Sequence, residues 1–235
     1  MSATIIDELL VADPAEAWAA AGFTVDASGV CQVGEVRIRL LGRGAGTGLV
    51  GWSLRDVTVG DVDGVSTTAP VTVATEPWSH ANGVTGIDHV VLLSPDLRRT
   101  VEVLSGIGLE PRRERDGELS GHPIRQVFYR LGAVIVELVG TPDTAGEGPA
   151  TLWGVTYVVD DIDATAAYFG TRTSAVKAAV QPGRRITTLQ HRELGLSVRT
   201  ALISRPEDKP VYTEASGVPP TRGIVDAEGR RGGKP

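Results

Sequence analysis

The stretch that decides the fold runs from residue 86 to residue 97 and reads GIDHVVLLSPDL. Its apolar run predicts a β-strand that carries His89. Ser94 followed by Pro95 predicts the start of a helix, because Ser is a common capping residue and Pro fits the first helical turn. We therefore expect a strand that leads directly into a short helix, which a glycine at position 106 would end.

A second stretch completes the unit. Residues 131–139 read LGAVIVELV, and together with residues 125–130 they predict a β-hairpin whose turn is Leu131-Gly132. Glu137 interrupts the otherwise apolar second strand of this hairpin. The whole segment predicts a βαβββ unit with a histidine on its first strand and a glutamate near the end of its last.

The same order of features occurs three times along the chain. A weaker copy opens at Ile6 and leads to a helix start at Asp13, and another opens at Trp153 and leads to a helix capped by Asp160 or Asp161. A repeated pattern of this length indicates repeated structural modules. The predicted class is α+β, built from βαβββ modules that pair around an open β-sheet cleft, with an extra degenerate module at the N-terminus.

Changes in composition predict four segments. Residues 1–60 form the degenerate N-terminal βαβββ module, and residues 61–83, rich in Thr, Val, Pro and Gly, form an extended connector. Residues 84–204 form the paired-module domain. Residues 205–235 are dominated by Pro, Gly and charge, with little to bury, and predict an arm or disordered tail.

Charge and cysteine content limit the classes of function. The net charge of −6 over 235 residues, with both signs well mixed, argues against general binding to nucleic acid or anionic membranes. Cys31 is the one cysteine, which excludes an internal disulfide and fits a reducing compartment. Asp7, Glu8 and Asp13 interrupt the first apolar run, so we expect no secretory signal, and no run approaches the ~18 apolar residues of a membrane span. These features predict a cytoplasmic protein.

The repeated unit resembles the modules of the vicinal oxygen chelate superfamily. This superfamily contains glyoxalase I, bleomycin-resistance proteins, extradiol dioxygenases and methylmalonyl-CoA epimerase. Within it, the segments 80–89 and 179–186 are similar to glyoxalase-like proteins of actinobacterial type. The resemblance implies a cleft between two paired modules, but the superfamily includes isomerases, lyases, oxygenases and binding proteins, so it does not fix a reaction.

The resemblance also implies a metal site. Each module of such a pair can give a metal one ligand from its first strand and one from its last, which here are His89 and Glu137. Histidine and carboxylate suit one divalent ion such as Zn, Ni, Mn, Fe or Co. The predicted catalytic residue is Glu137, which would bind the metal or act as the base of an isomerase or lyase.

The other copies supply different residues at the equivalent positions. The third copy has Gly154 on its first strand and Thr200 or Arg199 on its last. The first copy has Glu8 and Arg39. At most two of four expected ligands are therefore present.

Strand alternation predicts the lining of the cleft. With Leu131-Gly132 as a two-residue turn, Gln126 lies opposite Glu137 and Phe128 lies opposite Ile135, so all four share one face. The opposite, more apolar face should pack on the helix, and it consists of Val127, Tyr129, Val134 and Val136. We expect Gln126 and Phe128 to contact the ligand.

Two adjacent arginines, Arg184 and Arg185, enter a later strand, and a guanidinium group there could bind a carboxylate or phosphate. Surface charge is the alternative for both, and the sequence does not decide which of them faces inward. For His89 the alternative is a hydrogen bond at the end of the sheet. For Glu137 it is a solvated position at the sheet edge.

These residues support two hypotheses of function. The first is a glyoxalase-like enzyme, an isomerase or lyase that acts on a small oxygenated metabolite. The second is a metal-free protein of the bleomycin-resistance type that binds and sequesters a small molecule. In either case the expected partner is a small-molecule ligand. The odd number of modules suggests that the N-terminal module completes the sheet or mediates oligomerisation: it either packs beside the cleft or pairs with a second copy in a homodimer.

Overall fold

The computed structural model describes residues 4–57, 60–70, 77–119 and 121–206. Residues 71–76 of the predicted connector and residues 207–235 of the predicted tail lie outside this described part. Its first elements are β1 (Ile6–Val11), α1 (Ala15–Ala20), β2 (Val30–Val33), β3 (Val36–Leu40), β4 (Leu49–Leu54), β5 (Asp61–Val62) and β6 (Val65–Thr68). They are followed by β7 (Val84–Leu93), α2 (Leu97–Gly106), β8 (Arg113–Leu119), β9 (His122–Leu131), β10 (Val134–Gly140), β11 (Thr151–Val159), α3 (Ile162–Phe169), β12 (Lys177–Ala178), β13 (Arg185–Thr188) and β14 (Arg199–Ser204).

The second half of the chain forms one eight-stranded sheet in the order β12-β13-β14-β11-β7-β10-β9-β8. The module that starts with β7 and the module that starts with β11 meet in this sheet, where β7 and β11 run antiparallel. Inside each module the first strand is parallel to the last, β7 to β10 and β11 to β14. The predicted α+β class with paired βαβββ modules is confirmed.

The first half forms a smaller sheet in the order β2-β3-β1-β4-β6-β5. Its connectivity repeats that of the large sheet: β1 is parallel to β3 and antiparallel to β4, and β4 is parallel to β6. The small sheet is thus a reduced pair of modules in its own right. The second member of this pair is β4 to β6, and part of it comes from residues 61–68, which the sequence assigned to an extended connector. With the small sheet counted as two modules, the chain has four modules rather than the predicted three.

The helix starts differ in part from the prediction. Asp96 rather than Ser94 caps α2, and its carboxylate accepts a hydrogen bond from the Arg99 backbone N–H at 3.1 Å. Asp161 caps α3, as one of the two predicted alternatives. Asp13 does not cap α1, because its carboxylate turns instead to the indole of Trp18. No helix in the described part of the chain is long and apolar enough to cross a membrane.

The hairpin of β9 and β10 has the predicted faces but a different register. Leu131 lies opposite Val134, so the turn is Gly132-Ala133, and Gly132 has the positive φ of 63° that such a turn requires. Glu137 consequently lies opposite Phe128, and the predicted pairing with Gln126 is wrong. The displacement is two residues, which keeps every side chain on its predicted face. The apolar face is buried under the helices and consists of Val127, Tyr129, Val134 and Val136.

Candidate ligand-binding site

Polar side chains follow one another across the open face of the large sheet. His89 on β7 places its Nε2 3.5 Å from Oε2 of Glu137 on β10. Gln126 on β9 donates from its amide to Glu137, and it accepts a hydrogen bond at 2.8 Å from Arg115 on β8. The guanidinium of Arg115 also lies 5.8 Å from the ring centroid of Phe128. The structure therefore brings together His89, Glu137, Gln126 and Phe128.

The same line of polar groups continues on the other side of His89. Its Nδ1 lies 2.8 Å from Asp88, which in turn accepts a hydrogen bond at 2.5 Å from Arg184. Burial raises the pKa of Asp88, but the hydrogen bonds from His89 and Arg184 outweigh it and leave this pKa below its ordinary value. An ionised carboxylate only accepts hydrogen bonds, so Nδ1 of His89 carries a proton and the imidazole is held in one orientation.

The paired arginines separate. Arg184 is buried, and besides Asp88 it donates to the Ser204 carbonyl at 2.7 Å. Arg185 is exposed and forms an ion pair with Asp163 on α3 at 2.6 Å. Arg184 is thus the arginine that faces inward, although its positive charge is paired with Asp88. The predicted ligand contacts of both arginines stay predictions.

A pocket of about 660 Å³ lies beside this line of polar groups, over the module that starts with β11. Its floor comes from β11 and β14, and its wall comes from the segment that joins β13 to β14. The line of polar groups and the pocket meet at Thr156. This residue lines the pocket, and its Oγ1 lies 3.0 Å from Nε2 of His89. The lining includes Val91, Val155, Leu189, His191, Arg192, Glu193, Arg199 and Ala201.

An aromatic ring and a guanidinium group stand together at this pocket. The side chain of Arg199 lies over the indole of Trp153 at 4.8 Å, and Trp153 is 43% exposed although it is a large apolar residue. Burial lowers the pKa of the nearby His191, and the positive charges of Arg192 and Arg199 lower it further. The sequence assigned no ligand-binding role to these residues or to Asp88. The available signal was that Trp153 is next to Gly154, and that Arg199 is itself one of the two alternatives for the last-strand position of that module.

Neither a protein-family model nor a curated protein matches this sequence. Solved structures do match it. A triple mutant of 4-hydroxymandelate synthase from Streptomyces coelicolor aligns with a TM-score of 0.58 at 13% identity, over 88% of this chain and 94% of that one. This share is larger than either sheet spans alone, and that enzyme is a vicinal oxygen chelate protein. The chain has the vicinal oxygen chelate fold.

A second match of this kind covers both sheets of the vicinal oxygen chelate fold here. It is a xylose isomerase-like TIM barrel/4-hydroxyphenylpyruvate dioxygenase fusion protein, with a TM-score of 0.55 at 12% identity. The alignment covers 90% of this chain and 50% of that one. At these identities the likeness concerns the fold, so the ligand and the reaction must be argued from the site itself.

The donor set does not fit the metal centre that the vicinal oxygen chelate resemblance implies. The second module would contribute from Gly154 and from Thr200 or Arg199. A Cβ at Gly154 would lie 2.7 Å from the Arg199 carbonyl oxygen, so this backbone admits no ligating side chain there. Thr200 donates its hydroxyl to the Val198 carbonyl at 3.0 Å, and Arg199 carries a positive charge. Within residues 4–57, 60–70, 77–119 and 121–206, no group of three or more His, Cys, Asp and Glu side chains could hold a metal ion.

Proposed function

We propose that this protein binds a small organic anion in the pocket beside His89, without a metal ion, as a binding protein of the bleomycin-resistance type would. The observation that carries this proposal is the pairing of an exposed indole with a guanidinium at the pocket, Trp153 with Arg199. Such a pair offers a flat apolar surface and a positive charge to one ligand. A volume of about 660 Å³ falls in the range of small-molecule sites.

The charge of the pocket supports an anion. The lining contains Arg192 and Arg199 against one carboxylate, Glu193, whereas the whole chain carries a net charge of −6. A positive cleft in an acidic protein concentrates negatively charged ligands. The apolar lining, with Val91 and Leu189, would hold the uncharged part of the same ligand.

Titration with the fluorescent probe anilinonaphthalene sulfonate (ANS), an aromatic anion, tests this proposal. We expect saturable binding to the native protein, and we expect Arg199→Ala to raise the Kd roughly tenfold because a charge-assisted contact is lost. The matched control is Arg125→Ala, which removes an arginine of β9 that pairs with Asp116 on β8, away from the pocket. Equal Kd values for the native protein and Arg199→Ala would refute the proposal.

Proton transfer is a second candidate function, and the ordered contacts of His89 favour it. A carboxylate, Asp88, fixes the imidazole through Nδ1, and Nε2 faces Glu137 at 3.5 Å. An imidazole oriented in this way beside a second carboxylate is suited to move a proton at a bound substrate. Glu137 would be the base that takes the proton from the substrate, and in its protonated form it would donate to Nε2 of His89, whose other nitrogen donates to Asp88. This keeps the predicted catalytic role of Glu137.

The second candidate predicts hydrogen exchange in deuterium oxide. Over a panel of small α-hydroxy and α-oxo acids, we expect the protein to exchange the hydrogen next to the carbonyl of one class, as followed by NMR. Glu137→Gln should lower that rate by roughly 100-fold or more, since a positioned base contributes at least this much. Glu114→Gln on exposed β8 is the control. Exchange that survives Glu137→Gln, or exchange no faster than in buffer, would rule this function out.

A further inference from the structure

We propose that the N-terminal half sets the ligand affinity of the pocket, with Asp13 as the positioning residue. We define the pocket wall as residues 189–198, the segment between β13 and β14. Residues 189–193 of the wall line the pocket, and the wall leads directly into Arg199 at its far end. This inference rests on the proposed binding function, and it concerns how the wall is held in place.

Asp13 holds the pocket wall through hydrogen bonds from Ser197. Its two carboxylate oxygens each accept from the Ser197 backbone N–H at 3.0 Å, and one of them accepts from the Ser197 hydroxyl at 2.6 Å. The indole of Trp18 donates to the same carboxylate at 3.1 Å. Asp13 is fully buried, so these contacts are shielded from water and depend on one another.

Two further contacts from the N-terminal half also hold the wall. The Gly48 backbone N–H donates to the Ser197 hydroxyl at 2.7 Å. Arg43 lies 3.4 Å from the Asp13 carboxylate and also donates to the Gly195 carbonyl of the wall. Three separate places in the N-terminal half, before α1, after β3 and before β4, therefore converge on residues 195–197.

The position of Ser197 connects these contacts to the ligand site. Ser197 lies two residues before Arg199, whose guanidinium stands at the pocket, and shortly after a 3₁₀ helix, His191–Leu194, that carries three lining residues. Gly195 separates that helix from Ser197 with a positive φ of 71°, a point where the chain can hinge. Fixing Ser197 therefore fixes both the wall and the start of the strand that presents Arg199.

This arrangement predicts that weaker contacts between Asp13 and Ser197 lower the ligand affinity of the pocket, although no lining residue is changed. Asp13→Asn replaces one acceptor oxygen by an amide that opposes the Ser197 N–H. We expect it to raise the Kd for ANS roughly tenfold, mainly through faster dissociation, and Ser197→Ala to act in the same direction. The double variant should be no weaker than Asp13→Asn alone, because both changes remove one set of contacts.

A matched control distinguishes this effect from general loss of stability. Asp26→Asn also removes an aspartate with several hydrogen bonds in the N-terminal half, but its carboxylate accepts from Ser28 and Val30 and not from the wall. It should leave the Kd unchanged. If Asp13→Asn does not fold, Ser197→Ala carries the test.

The outcomes are separable from those of the proposed function. A native protein that binds no ANS, or binds it regardless of Arg199, defeats the proposed function. Native binding that depends on Arg199 but is unchanged in Ser197→Ala and Asp13→Asn overturns the role of Asp13 alone.

Discussion

Replacement of Glu8 by alanine is expected to destabilise the protein by about 3–5 kcal/mol, the loss typical of removing one partner from a buried ion pair. Glu8 on β1 is 2% exposed, and its Oε1 lies 3.5 Å from Arg37 and 2.9 Å from Arg39, both on β3. Without the carboxylate, two guanidinium groups would share one largely buried face with no compensating charge.

Urea unfolding at neutral pH measures this effect. The control is Glu35→Ala, because Glu35 is exposed at the turn between β2 and β3 and its removal should change the free energy of unfolding little. A loss for Glu8→Ala no larger than that of the control would show that solvent already screens the arginines.

The ion pair of Glu8 also distinguishes the small sheet from the large sheet, where we place the ligand site. In the small sheet Glu8 lies opposite Ser53, and in the large sheet His89 lies opposite Thr156. By the same register, Arg39 takes the place that Glu137 has in the large sheet. Acid and base are thus exchanged between the two halves. In the small sheet the chain's own ion pair occupies the position where the large sheet presents His89 and Glu137.

Much of the fold was predictable because it depends on local patterns. The alternation around Glu137 fixed the faces of the β9–β10 hairpin, although the turn position did not follow from the sequence. A register displaced by two residues leaves the same side chains on the same faces, so alternation alone cannot detect it. Two of the predicted helix starts were wrong because other side chains engage the capping residues. Asp13 accepts from the distant Ser197, and Ser94 bonds to Thr100 in α2.

The pocket was less predictable because distant segments build it. Trp153 and Arg199 meet only because β11 and β14 pair in parallel, a contact that local periodicity does not encode. The inward direction of Arg184 was likewise open until its partner was known. That partner, Asp88, is next to His89 in the sequence, and ordinary alternation would put the two on opposite faces. The register of β7 against β11 shifts near His89, and the two side chains meet there.

Asp88→Asn is the second change with a large expected effect. Its side chain is 11% exposed and pairs with Arg184, which is buried and has no other carboxylate partner among the described residues. Asparagine would leave that guanidinium uncompensated, with an expected loss of about 3–5 kcal/mol of unfolding free energy at neutral pH. It would also remove the charge that fixes His89, so a proton-transfer activity should fall with it.

The pKa of Asp88 gives this prediction a pH dependence. Because the pKa is lower in the folded protein than its ordinary value of 3.8, the folded state binds fewer protons, and the stabilisation is fully present above that value. It is lost as the pH falls below 3.8 through the folded-state pKa. Urea unfolding across this acid range should therefore show a steeper loss for the native protein than for Asp88→Asn. Asp163→Asn, which breaks the exposed pair with Arg185, is the control and should change the neutral-pH stability little. Parallel acid curves for the native protein and Asp88→Asn would mean that the Asp88–Arg184 pair does not stabilise the folded state.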